Sequence, residues 1–166
     1  MDGEAVRGDY FFRARSIACA GLISAGAAAV IGSLLDWVTI EPPPTVPDDQ
    51  LAGIHPFSGI DVRDGWWTLA LGVALIVLAV LLFVRRRSGF AWLAFLSSMV
   101  MGAIAIADYR AIVGFEPGGV ADEALFRRAE IIGEADPAIG ITLVAAAALV
   151  GFVSSLVGVA STPNTG

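Results

Sequence analysis

Residues 64–87 read DGWWTLALGVALIVLAVLLFVRRR: one carboxylate, 20 residues without a charge, then three arginines. A helix rises 1.5 Å per residue, so 20 residues make about 30 Å, the thickness of a bilayer's hydrocarbon core. The run is apolar on every side, without the polar stripe of a soluble helix. Ionic side chains stop where an oily solvent would stop them.

Working outward, the same interval recurs. Between Arg15 and Asp36 lie 20 uncharged residues, and between Arg87 and Asp108 another 20. After Asp136 no charged side chain follows, and Ile139 to Ala160 is apolar or small throughout. Composition agrees: 57% of the chain is hydrophobic and 16% charged, against roughly 25% charged in soluble domains. The sequence predicts an all-α membrane protein, a bundle of four transmembrane helices with two extracytoplasmic loops. Its segments are a cytoplasmic stretch 1–15, span 16–35, loop 36–64, span 65–84, cytoplasmic turn 85–89, span 90–107, loop 108–136, span 139–160 and tail 161–166. The first apolar run is too long for a cleavable signal peptide, and Cys19 lies at its start, where a lipid-attachment cysteine would not.

Arginine sets the orientation. Arg7, Arg13, Arg15, Arg85, Arg86 and Arg87 flank the spans on one side, which makes that side cytoplasmic by the positive-inside rule. Both termini then lie in the cytoplasm, with the chain in the plasma (inner) membrane. The two long loops hold 13 acidic residues against four arginines, a net charge of −9. Trp37, Trp66, Trp67 and Tyr109 fall at the outer boundary, and Tyr10, Phe11, Phe12, Phe90 and Trp92 at the inner one, as interfacial aromatics do.

Helices in lipid associate where small residues let backbones approach. From Ser16 to Leu35, 12 of 20 residues are Gly, Ala or Ser, with Gly21, Ala25, Ala29 and Ser33 at four-residue spacing. Helix 1 is therefore expected to be central. Helix 2, rich in Leu and Val, is expected to expose the largest area to lipid. Ser98 and Gly102 on helix 3, and Ala147, Gly151 and Ser155 on helix 4, mark further seams. Internal packing is the favoured reading of these seams, a homo-oligomer interface the alternative. A shift of 72 residues superposes Arg13 on Arg85, Asp36 on Asp108 and Asp64 on Asp136, which hints at a duplicated hairpin.

In the first loop, Val38 to Glu41 alternates, Pro42, Pro43, Pro44 and Pro47 follow, and Phe57, Ile60 and Val62 alternate again. A short β-hairpin between the two alternating stretches is expected. In the second loop, Val120 to Ile132 reads as a short amphipathic helix ended by Gly133, packed on the bundle or offering a docking face with Phe126. Asp48, Asp49, His55, Asp61 and Asp64 match no cation-binding spacing, so a solvated acidic surface is favoured over a metal site.

No charged residue interrupts a span, and no phosphate-binding loop, zinc motif or nucleophile elbow occurs. With one histidine and one cysteine, multi-His metal chemistry and disulfides have no material. No catalytic residue, cofactor, metal or nucleic-acid partner is expected. Asp36, Trp37, His55, Trp66, Trp67 and Phe126 are the candidate outer-face interaction residues, although span-capping carboxylates and anchoring tryptophans explain most of them.

With its Asp36-Trp37-Val38 boundary, the Asp64-Gly65-Trp66-Trp67 start of helix 2, the Arg85 to Arg87 turn and no lysine, the chain resembles small uncharacterised four-span membrane proteins of GC-rich bacteria. That resemblance implies topology and no activity. The outline is also similar to the claudin-like architecture, without that group's loop cysteine pair. The expected role is non-catalytic, as an accessory or scaffold subunit of a larger membrane or envelope complex. Its expected partners are the lipid bilayer and other membrane or extracytoplasmic subunits. The alternatives are an oligomeric pore or transport component, and a membrane enzyme using Asp36, Asp108 or His55.

Overall fold

The computed structural model describes residues 2–41, 56–114 and 134–162. The apolar runs form α1 (Asp2–Leu34), α2 (Arg63–Arg85), α3 (Ser88–Gly114) and α4 (Ile139–Ala160). All four are long and apolar enough to cross a membrane. Unbroken helices are what that solvent demands, since no water is there to bond an exposed N–H or C=O.

The helices overrun the charge-free intervals. α1 begins at Asp2 and α3 continues through Asp108 to Gly114, because charge bounds the lipid-immersed length and not the hydrogen-bond ladder. Only Arg86 and Arg87 separate α2 from α3, a tighter connection than the 85–89 turn expected from charge. Arg86 closes α2 in the left-handed region (φ 55°) while its N–H donates to the Leu82 carbonyl at 3.1 Å.

The helices stand in a square, each antiparallel to its neighbours. α1 packs most extensively on α4 and α2, α3 packs on α4, and α2–α3 is the smallest of the four interfaces. Buried residues recur in alternating steps of three and four: Gly65, Thr68, Gly72, Leu75, Ala79 and Leu82 on α2, and Ala91, Ala94, Ser98, Met101, Ala105, Asp108 and Ile112 on α3. That 3.5-residue period is the seam of left-handed bundles in water and in lipid alike.

Small residues bring the helices into backbone contact. A Cβ on Gly26 would meet the Gly72 carbonyl at 2.5 Å, and one on Gly140 would meet the Gly32 carbonyl at 2.7 Å. Outside, the bundle presents Val73, Val77, Val80, Leu93, Leu96, Val100, Ile106, Leu149 and Val153. Apolar bulk without and small side chains within invert the arrangement of a water-soluble bundle. α1 is the most buried helix, then α4, while α2 and α3 bury an equal and smaller share of their residues. On α3, Ala91, Ala94, Ser98 and Ala105 lie inward, and Leu93, Leu96, Met99 and Ile106 lie outward.

A three-stranded antiparallel sheet covers the end of the bundle opposite the arginine turn. β1 (Asp36–Glu41) is central, between β2 (Phe57–Ser58) and β3 (Glu134–Pro137). Val38 faces Pro137 and Glu41 faces Glu134 across one ladder, and Val38 faces Phe57 across the other. The expected strand pair exists but is shorter on its second side. Residues Gly59–Asp61 form a 3₁₀ turn instead, because the Asp61 carboxylate accepts from the Ser58 N–H (3.1 Å) and hydroxyl (2.7 Å). β3 was not expected. The proline run, the amphipathic stretch 120–132, Asp48, Asp49, His55 and Phe126 lie outside the described residues.

Candidate functional site at the sheet end

β1 leaves α1 after a single residue, and its register shifts between Asp36 and Val38. Such a bulge breaks the in–out alternation of a strand, so both Trp37 and Val38 are buried. Trp37, only 1% exposed, drops its indole between the glycines at 59 and 140, and its Nε1–H donates to the Gly32 carbonyl at 2.9 Å. That carbonyl lies in the last turn of α1, where the helix supplies no donor of its own. The Trp37 carbonyl in turn accepts from the Ala138 N–H at 2.8 Å, which fixes the start of α4. Trp37 is therefore a buried joint between sheet and bundle, not the interfacial anchor or outer-face contact expected from sequence. Trp66 and Trp67 do face outward, 60% and 58% exposed.

Two hydroxyls tie α1 to α2 beneath the sheet. Ser33 Oγ and Thr68 Oγ1 lie 2.8 Å apart, so that one hydroxyl donates to the other, which in turn donates to a carbonyl of its own helix, Ala29 for Ser33 or Gly65 for Thr68. Neither hydroxyl is left unsatisfied, as a buried polar group in lipid requires.

One turn before Thr68, on the same face of α2, stands Asp64. Its side chain lies within hydrogen-bonding reach of the Asp108 carboxyl on α3. Asp64 is half-buried, whereas Asp108 is 4% exposed and its Oδ2 has no hydrogen-bond partner among the described residues. Read from sequence, Asp108 is a cap at the edge of a span. The structure instead places it on the inward stripe of α3, between Ala105 and Ile112. The signal was present in the stripe, whose three-and-four spacing runs on through position 108 after the charge-free interval has ended. Asp36, which the 72-residue shift pairs with Asp108, is exposed on β1, so the matched positions have different surroundings.

The remaining site candidates fall in the helix seams and at the arginine end. Gly21 abuts Ser154, Ala25 approaches Gly151, and Ala29 approaches Gly72. Ser98 lies against Gly151, and Gly102 reaches Ala148. Ala147 and Ser155 are buried on α4. Arg13, Arg85, Arg86 and Arg87 are exposed, while Arg15 is buried beside the ring of Phe12 at 5.8 Å. Among the described residues no group of three His, Cys, Asp or Glu side chains converges on a metal position.

Chemically, the sheet end offers a pair of carboxyl groups in contact, one of them sealed from water. Comparison with protein-family models, with curated proteins and with solved structures returns no match. The geometry alone supports any functional reading.

Proposed function

We propose that the chain is a non-catalytic subunit of a plasma-membrane or envelope assembly, with both termini cytoplasmic and the sheet on the outer face. The observation that carries the reading is the way β1 gathers β2 and β3, so that segments from both long connections form one platform on the bundle. Beneath it the interior is filled by Leu22, Leu75, Leu82, Met101, Ile141 and Val144 and by glycine-to-glycine contacts. A bundle packed in this way and capped by a platform suits docking to other subunits better than conduction through a single copy. The seam Gly21, Ala25, Ala29 and Ser33 faces α2 and α4 of the same chain, which supports the subunit reading over the oligomeric-pore alternative.

Extraction in mild detergent, affinity capture and mass spectrometry test the reading. The expected result is a defined partner subunit in constant ratio to the chain, lost when Trp66 and Trp67 are both replaced by alanine in a protein that still folds. A chain that emerges alone and monodisperse from every mild extraction contradicts it.

A further inference from the structure

We propose that Asp64 and Asp108 form a proton-binding site open to the aqueous phase on the sheet side, in which one proton is held between the two carboxyls. Ionised carboxylates only accept hydrogen bonds, so two of them in contact need either a shared proton or a bridging cation. Asp108 is more than nine-tenths buried on a stripe otherwise made of Ala, Ser, Met and Ile, and its Oδ2 meets no donor among the described residues. A carboxylate held there without a counter-charge is costly, and a carboxylic acid is far less so. The described cations at this end, Arg63 and Arg110, are both exposed. So are the remaining titratable groups whose side chains are described on the elements packed here: Asp36 on β1, Asp61 in the 3₁₀ turn, Tyr109 on α3 and Asp136 on β3. Solvent screens all of them, which leaves Asp64, among the described residues, as the group that governs Asp108.

A proton fits this pair better than a metal ion. Hard cations take six or more oxygens, and no third carboxylate joins the two among the described residues. Asp108 is the more deeply buried of the two, so the proton rests on it and half-buried Asp64 accepts the hydrogen bond. Half-exposed Asp64 is also the way out to water. When the proton leaves, two like charges remain in contact across α2–α3, the smallest interface of the bundle, and push its sheet end apart. Protonation from the sheet side thereby sets the spacing of α2 and α3 under the platform. This site goes beyond the subunit role and does not depend on it.

Infrared spectroscopy of the full chain in lipid vesicles tests the proposal. At mildly acidic pH the wild type is expected to show the C=O stretch of one protonated carboxyl per chain, still present in part at neutral pH. The band should shift on exchange into D₂O and vanish in alkaline buffer. Asp108→Asn, which keeps the shape and supplies its own donor, should lose it. Asp64→Asn, a second variant in case the first fails to fold, should lose the band in less alkaline buffer than the wild type, because the like charge that opposes ionisation of Asp108 is gone. Absence of the band in the wild type at mildly acidic pH overturns the proposal, as does a band unchanged in Asp108→Asn. Loss of the band on adding Na⁺ or Ca²⁺ at constant pH, showing a cation and not a proton as occupant, overturns it as well.

Discussion

Trp37 shows how much one residue carries at the junction of helix and sheet. Its indole N–H satisfies the Gly32 carbonyl, its ring fills the space left by Gly59 and Gly140, and its own carbonyl holds Ala138. Trp37→Phe keeps most of the ring and loses the hydrogen bond, and should cost about 1 kcal/mol in equilibrium unfolding from detergent micelles. Trp37→Ala should cost about 3–5 kcal/mol in the same assay, the usual range for emptying an aromatic site. An equal, near-zero effect of both would show that the indole is not a joint. Sequence put Trp37 in the interface because tryptophan prefers that depth and because a boundary carboxylate precedes it. What turns it inward is a bulge in β1 and two glycines that arrive from other parts of the chain, and no local pattern announces either. Asp108 was legible in part. Counting uncharged residues stops at it, whereas following the buried stripe of α3 carries straight through it.

At the scale of elements, the helix pairs are defined by how closely their backbones approach. A Cβ on Gly140 would lie 2.7 Å from the carbonyl oxygens of both Gly32 and Asp36, atoms that cannot swing aside. Gly140→Ala should therefore destabilise the fold by about 1–3 kcal/mol, the range for overpacking. Gly89, at the start of α3, has nothing within 4 Å of its would-be Cβ. Gly89→Ala should be neutral or stabilising by up to about 1 kcal/mol, which makes it the matched control in thermal unfolding. The Ser33–Thr68 bridge is a smaller contribution. Thr68→Val should cost about 0.6 kcal/mol, typical of hydrogen bonds between membrane helices, because Ser33 still bonds the Ala29 carbonyl. A double-mutant cycle with Ser33→Ala reads that coupling directly. The helices and the small-residue seams were readable in sequence, since composition and spacing both follow from lipid as solvent. The sheet was readable only on one side. Glu134-Ala135-Asp136-Pro137 has no β-branched or aromatic residue, and it is a strand because β1 offers it a partner.

For the whole molecule, the decisive feature is the distribution of bulk, with Val, Leu and Ile covering the outside, while Gly, Ala and Ser make up most of the inside and a few larger apolar side chains fill the gaps between them. A water-soluble chain with that exterior would aggregate through its apolar belt. The central claim is that the belt lies in a bilayer, with the sheet and the arginine turn on opposite sides. Labelling of single cysteines by a membrane-impermeant maleimide, in a Cys19→Ser background, tests it most directly. Asp136→Cys should react in intact cells and Arg86→Cys only after permeabilisation, since both positions are exposed at opposite ends. Val77→Cys and Leu149→Cys, on the outward faces of α2 and α4, should stay unreactive until the membrane is dissolved. Reaction of Val77→Cys and Leu149→Cys in intact membranes, or of Asp136→Cys and Arg86→Cys from the same side, would contradict the account.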